Sequence, residues 1–233
     1  MQLLLPEDLI KKSGSTDPIL YYRRRLGIGR VFRRRIEMGL EMIPPLRMGA
    51  RILEVGYGAG LVLYNLSGKD RELHGLDLDA DPCDVAQRLA GLGIRANLKK
   101  GSVLDVGGIY PQEYFDVVVS FSTLEHIREL QRALDEMDRV TIAGGYLLLG
   151  MPAVNRLMEF AFRAIGFKNI KDHHVSTPRD LWKMVHDETE RWETQHRKLP
   201  QRAPFGAALY HVFLLHKRQP LRQSQIMPEG HVI

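Results

Sequence analysis

Cysteine is almost missing from this chain: Cys83 is the one thiol in 233 residues. An intrachain disulfide and a cysteine-rich metal site are thereby excluded, and the composition suits a reducing, cytoplasmic setting. Long apolar runs are missing too. No stretch approaches the roughly 20 residues of a membrane span. The N-terminal MQLLLPEDLIKK carries a brief apolar run broken by Pro6, Glu7 and Asp8, too short for the core of a signal peptide. There is no internal repeat and no low-complexity tract. Aromatic residues amount to 8%, and only Tyr21 and Tyr22 neighbour a basic run, so the interleaved stacking surface of a single-strand nucleic-acid binder is lacking. A general basic surface is lacking as well. Residues 1–50 hold ten Lys/Arg against five acids, which accounts for the whole net charge of +5.

What is present begins with a helical period. Ile28, Phe32, Ile36, Leu40 and Ile43 recur every four residues or so within 23–43, with Arg30, Arg33, Arg34 and Glu37 mostly opposite, and Pro44-Pro45 ends the pattern. From Arg51 the rhythm alternates between strand and helix. ILEV (52–55) predicts a strand, 61–66 a short helix, 72–79 a strand ending in acids, and 82–92 a helix opened by Pro82. A weak strand follows over 95–99, then FDVVVSFS (115–122), whose unbroken apolar run fits burial on both faces. An amphipathic helix is expected over 124–140 and a strand over 144–152. The spacing then predicts a helix over 155–165 and another after Thr177-Pro178-Arg179-Asp180, which has capping-box spacing. WETQHRKL and ALYHVFLLHKR predict two final strands, the latter antiparallel to strand 144–152, and the tail from Gln219 reads as loose. Alternation at this pitch implies an α/β fold with a mostly parallel sheet and helices on both faces. Ligands of such sheets bind beyond the carboxyl ends of the strands.

The densest signal is RILEVGYGAG (51–60). Glycine permits backbone torsions and ligand approaches that side chains block, and the helix that follows offers free N–H groups. The spacing is G-x-G-x-G, not the G-x-G-x-x-G of pyrophosphate binders. Glu54, two residues before the first glycine, would also serve a phosphate badly. The segment Glu54-Val55-Gly56-Tyr57-Gly58-Ala59-Gly60 resembles the first motif of class I S-adenosylmethionine-dependent methyltransferases of the small-molecule type. GLDLD, KGSVLD (100–105) and FDVVVSFSTLEHI (115–127) are similar to the family's later motifs, so that the resemblance covers about 48–152. It implies a Rossmann-like sheet with an antiparallel final strand, S-adenosyl-L-methionine as cofactor, and S-adenosyl-L-homocysteine as product. On these motifs it assigns the cofactor to Glu54, Gly56, Tyr57, Gly58, Gly60, Asp77, Leu78, Ser102, Val103, Ser120 and Phe121. Asp77 takes the place of the acid that binds the ribose hydroxyls. Ser102 stands where the family often has an acid facing adenine, so Ser102, Asp105 or the backbone has to serve there.

His126 follows the fourth strand at a position that resembles the family's site near the transferred methyl group. His173 and His174 precede the Thr177 cap and belong, by the same resemblance, to the cover of the acceptor pocket. These three are the candidates for a general base. No metal is expected, since Asp172-His173-His174 lacks helical ligand spacing and has no partner cluster in the sequence. Met151, Met158, Phe160 and Phe162 are candidates for an apolar pocket wall or for core. The reading divides the chain into a helical cap segment (1–47), a cofactor-binding core (48–152) and acceptor-side helices and strands of the same domain (153–233). It expects methyl transfer to a small, apolar acceptor, at oxygen before nitrogen or carbon. Two alternatives stay open: an RNA or protein methyltransferase docking through the basic helix, and a cofactor-binding protein without turnover. Nucleic acid is disfavoured, because Ser120-Phe121-Ser122-Thr123 replaces the Asn/Asp-Pro-Pro-aromatic motif of amino-methylating enzymes. A weak membrane-surface contact through 21–43 is the remaining partner expectation, and the sequence leaves the oligomeric state open.

Overall fold

The structure is a computed structural model, and it describes residues 2–11, 19, 22, 27–68, 70–153 and 174–219. Seven strands form one sheet in the order β3-β2-β1-β4-β5-β7-β6. They are β1 (Arg51–Val55), β2 (Glu72–Asp77), β3 (Ala96–Lys100), β4 (Phe115–Phe121), β5 (Thr141–Pro152), β6 (Trp192–Leu199) and β7 (Tyr210–Lys217). The first five are mutually parallel, and β7 runs antiparallel to both β5 and β6. The helices are α1 (Ile28–Leu40), α2 (Leu61–Leu66), α3 (Pro82–Gly91), α4 (Val106–Ile109), α5 (Leu130–Val140) and α6 (Pro178–Asp187).

β4 is buried at every position, as its apolar run requires at the centre of a two-faced sheet. Alternate residues feed opposite cores. Ile52, Val117, Val119 and Leu148 pack with α1, α2 and α3 on one face. Leu53, Val118, Leu147 and Leu149 pack with α5 and α6 on the other. Connections leave β1 and β4 toward opposite flanks of the sheet, so a crevice opens at their carboxyl ends.

Several boundaries differ from the sequence expectation. β2 stops at Asp77 and does not continue to residue 79, because the Asp77 carboxylate turns back to accept hydrogen bonds from the Asp79 and Ala80 N–H groups, each at 2.8 Å. The helix expected over 124–140 is split into a 3-10 turn, Leu124–His126, and α5. The reason lies in tertiary hydrogen bonding. The Glu125 carbonyl accepts from the Val175 and Ser176 N–H groups (2.8 and 3.2 Å), and the Ile127 carbonyl accepts from Ser176 Oγ at 2.5 Å. Carbonyls taken by a distant segment are withdrawn from a helical ladder. The Thr177 capping box forms as its spacing implies, with Pro178 in the first turn. Met151 is fully buried core, not pocket wall. The helix expected over 155–165, with Met158, Phe160 and Phe162, lies outside the described residues, as does the tail beyond 219. No helix among the described residues is long and apolar enough to cross a membrane.

The β6–β7 edge carries a titration. His196 Nε2 and His211 Nδ1 lie 3.0 Å apart in stacked rings. Burial pushes both imidazoles down to about 4, with the charges of Lys198 and His186 adding to it at His196, and those of His196 and Lys198 at His211. The unfolded chain, with histidine near 6.5, therefore binds more protons than the fold between those values. Stability from this pair is complete above about pH 6.5 and falls as pH drops toward 4, at up to about 1.4 kcal/mol per pH unit for each histidine. Thermal melts should show a midpoint that is flat above pH 7 and declines below 6.5, and His211→Leu should flatten that decline. An identical pH dependence in the variant would show that other groups control acid unfolding.

Candidate functional site

A cavity of about 740 Å³ occupies the crevice at the carboxyl ends of β1, β2 and β4. Its floor is the loop after β1. Gly56, Gly58 and Gly60 have φ of 79°, 48° and 78°, torsions that L side chains rarely adopt. At Gly56 close approach adds to the torsion, for a Cβ there would lie 2.0 Å from Thr123 Oγ1. The Gly56 N–H donates to the Leu76 carbonyl at 2.7 Å and the Gly58 N–H to Asp77 Oδ2 at 2.9 Å, so the loop is pinned to β2. Gly60 plays a different part. It does not line the cavity; a Cβ there would press Val85 and Leu89 of α3 at 3.0 and 3.2 Å, so its smallness serves helix packing.

Tyr57 is buried, with its ring against β2. A side chain at Gly75 would meet the Tyr57 ring at 2.6 Å, so a glycine inside a strand makes room for the tyrosine that walls the cavity. Its hydroxyl has no hydrogen-bond partner among the described residues. Burial, with Asp77 and Asp81 adding to it, pushes that phenol well above its ordinary range. Glu54 is 3% exposed, lines the cavity and accepts the Leu63 N–H of α2 at 3.0 Å. Asp77 already accepts three backbone N–H bonds. A carboxylate has about four lone-pair sites, so about one is left for a ligand hydroxyl, fewer than the two that its place in the sequence suggests.

Of the other residues expected to meet a cofactor, Leu78, Ser102, Val103 and Phe121 line the cavity. The Ser102 hydroxyl caps the next turn by accepting the Leu104 N–H at 3.1 Å. Asp105, its alternative, is outside the lining and has Arg132 at 3.8 Å. Ser120 is fully buried behind the wall and does not line it.

Sequence reasoning missed Arg35. In the sequence, Arg23-Arg24-Arg25 and Arg33-Arg34-Arg35 suggest a solvated basic helix face near the pocket, yet Arg35 is 7% exposed and lines the cavity. It donates to Ser122 Oγ at 2.8 Å and to the Tyr22 hydroxyl at 3.0 Å, with its guanidinium carbon 4.2 Å from the Phe32 ring centroid and 5.2 Å from that of Tyr210. Among the described residues it makes no ion pair, and its Nε has no hydrogen-bond partner. The signal was in the period: at 100° per residue Arg35 falls about 60° from Phe32, on the apolar stripe, while Arg34 falls opposite. Arg34 is indeed turned outward, paired with Glu41 at 2.8 Å, and Arg33 donates to the Tyr22 carbonyl at 2.6 Å. The second arginine run is thus largely engaged within the fold, and residues 23–26 lie outside the described residues.

The histidine candidates separate. His126, half-exposed, lines the cavity. His174 does not line it, but its ring meets that of His126 edge-on with centroids 5.1 Å apart. His173 lies outside the described residues. Beside the pair stands Glu125, 2% exposed, whose carboxyl is pushed up to about 8 by burial, with Arg35 opposing. Ligand atoms of Glu125, His126 and His174 all fall within 4.8 Å of one another. Such a grouping could hold a cation, and the sequence did not disclose it because 48 residues separate its halves.

Residues 53–149 match the family model described as a methyltransferase domain. Over 130 residues the chain is 30% identical to a ubiquinone biosynthesis O-methyltransferase of Klebsiella pneumoniae, a match covering 50% of this chain and 52% of that one. Over 109 residues it is 28% identical to ajmaline N-methyltransferase of Rauvolfia serpentina, covering 45% and 37%. The matches span about half the length of these curated relatives, or less. The fold is shared with the phosphoethanolamine N-methyltransferase 2 of Haemonchus contortus solved with S-adenosyl-L-methionine (TM-score 0.61, 15% identity, 80% of this chain and 53% of that one). It is shared also with the [4+2]-cyclase SpnF (TM-score 0.64, 16% identity, 84% and 85%).

Proposed function

Given that residues 53–149 are a methyltransferase domain of the class I S-adenosylmethionine-dependent kind, we propose that the protein catalyses methyl transfer to a small-molecule acceptor, at oxygen. The observation that carries this reading is a pair of opposite charges in one cavity, Glu54 and Arg35, beside a glycine loop with no room for side chains. An amino-acid end bearing an ammonium and a carboxylate suits that pair. Glu54 takes the cationic group and the Arg35 guanidinium the carboxylate. Asp77 spends its remaining lone pair on a ribose hydroxyl, and Leu78, exposed beside the cavity, covers the base. A phosphate-rich dinucleotide would meet Glu54 where it needs a donor.

S-adenosyl-L-methionine supplies, when bound, a methyl carbon already activated by a sulfonium centre. What remains for the chain is alignment and proton removal. Phe121 at the end of β4, with Ser122, His126 and Ile127 after it, forms the acceptor end, with Ile19 and Tyr22 from the N-terminal segment also in the lining. On this reading residues 1–47 cap the cavity, 48–152 hold the cofactor, and 153–233 belong to the acceptor side. The largely apolar wall favours an apolar acceptor, and His126 receives the proton that leaves the acceptor hydroxyl. The O-methylating relative is in keeping with oxygen, although the N-methylating relative is nearly as similar. The single cysteine fits a cytoplasmic enzyme.

Two measurements test the reading. S-adenosylhomocysteine should raise the melting temperature and NAD should not; stabilisation by NAD alone would sink it. Labelled S-adenosylmethionine incubated with cell extract should then yield a labelled small product. With that acceptor, His126→Asn should leave cofactor affinity within about twofold and lower kcat by roughly 10²–10⁴. Unchanged kcat would remove His126 from proton transfer. One other reading stays in view, cofactor binding without turnover, because a shared fold does not fix a function. Tight cofactor binding with no labelled product from any extract would favour it.

A further inference from the structure

Glu125, His126 and His174 point to chemistry beyond a histidine base. We infer that they form a binding site for one divalent transition-metal ion, of the zinc class, at the acceptor end of the cavity. The inference rests on the preceding reading for its role in catalysis, but not for the existence of the site.

Three observations carry it. The donor atoms lie within 4.8 Å of one another, with Glu125 Oε1 4.0 Å from His126 Nε2. Glu125 is buried, and its Oε2 has no hydrogen-bond partner among the described residues, an unusual position for a carboxylate oxygen. The two halves are strapped together: the Glu125 and Ile127 carbonyls take the Val175 N–H and the Ser176 N–H and Oγ, which sets the residue after His174 against the turn that carries the other two ligands. The backbone departs from a helix at this point in order to make those bonds.

The donor set selects the ion. Two imidazoles and one carboxylate suit zinc or iron and leave magnesium and calcium, which want oxygen, poorly served. Ligands about 2.0–2.2 Å from such an ion stand about 3–3.5 Å apart, so the set closes by about an ångström, through rotation of the half-exposed His126 ring. Three protein ligands leave at least one position open, and His126 lines the cavity, so that position faces the acceptor. An acceptor hydroxyl bound there would lose its proton more readily, as metal-bound water does. With the ion bound, His126 would serve as its ligand in place of acting as the base, and the proton would pass to solvent.

The test uses the full chain stripped with chelator and titrated with Zn²⁺, Co²⁺ and Mg²⁺ by calorimetry, with Co²⁺ absorption reporting coordination. One equivalent of Zn²⁺ should bind, Mg²⁺ should not compete, and Co²⁺ should give the intense bands of a four- or five-coordinate ion. Glu125→Gln and His174→Ala should each weaken Zn²⁺ by more than about 100-fold, beyond what loss of an outer-shell contact costs. His216→Ala, on the stacked pair with Tyr146, should not weaken it. Unaltered circular dichroism and S-adenosylhomocysteine stabilisation in Glu125→Gln would confirm that the variant folds. Absent Zn²⁺ binding, or equal affinity in wild type and both ligand variants, overturns the site. Methyl transfer at full rate by metal-free protein overturns its catalytic role and leaves the methyltransferase reading standing. Zn²⁺ binding without any methyl transfer does the reverse.

Discussion

Gly56→Ala is expected to abolish stabilisation by S-adenosylhomocysteine, with a loss in affinity of at least about 100-fold, or 2.7 kcal/mol. Two effects combine. At φ of 79° an alanine is strained, which costs more than about 1 kcal/mol of folding stability. The new Cβ also lies 2.0 Å from Thr123 Oγ1 and 3.0 Å from Thr123 Cβ, so either the loop or the turn after β4 must shift. Both border the cavity, and the loop is pinned to β2 through the Gly56 and Gly58 N–H groups. A displaced loop withdraws Asp77 at the same time. The double variant Gly56→Ala, Thr123→Gly removes the collision and keeps the torsional strain, so it should recover part of the affinity. Isothermal titration of the two variants checks this. Wild-type affinity in Gly56→Ala would mean that the ligand does not lie against this loop.

Arg35→Leu should move binding and stability in different directions. The guanidinium is buried between aromatic rings, has hydroxyl partners and makes no ion pair among the described residues. Such a charge has its burial offset by hydroxyls, ring faces and more distant charge and not by a close carboxylate partner. Its replacement by a hydrophobe of moderate size should leave the melting temperature of the free protein unchanged or higher, since Ser122 Oγ keeps the Tyr210 hydroxyl at 3.0 Å. Affinity for S-adenosylhomocysteine should fall by about 2–4 kcal/mol, the usual cost of deleting one partner of a buried charge pair. A ligand without the amino-acid end, 5′-methylthioadenosine, should bind wild type and variant alike. Equal losses for both ligands would place Arg35 elsewhere than at the carboxylate. A large drop in melting temperature would show that the arginine supports the fold itself.

These two positions mark what was legible. The glycine torsions and the strand before them follow from local constraints, so RILEVGYGAG could be read as strand, turn and helix start. The parallel sheet followed from alternation, and the antiparallel β7 from an apolar run placed last. Capping of α6 was legible because its partners are three residues apart. The break at 127–129 was not, because the carbonyls that leave the helix bond to residues 175 and 176.

The chain by itself determined which torsions, caps and apolar faces exist, because those depend on neighbours within about one turn or one strand. Tertiary structure alone decided which polar groups lose water. Arg35 differs from Arg34 only in falling on the buried stripe, and the sheet behind that stripe turns a surface-looking arginine into a cavity residue. Asp77 kept its place but lost acceptor capacity to three backbone N–H groups. Glu125, His126 and His174 became one cluster because hydrogen bonds from residues 175 and 176 cross the gap between segments. Desolvation and long-range hydrogen bonding depend on distances in space, and a list of residues does not carry those distances.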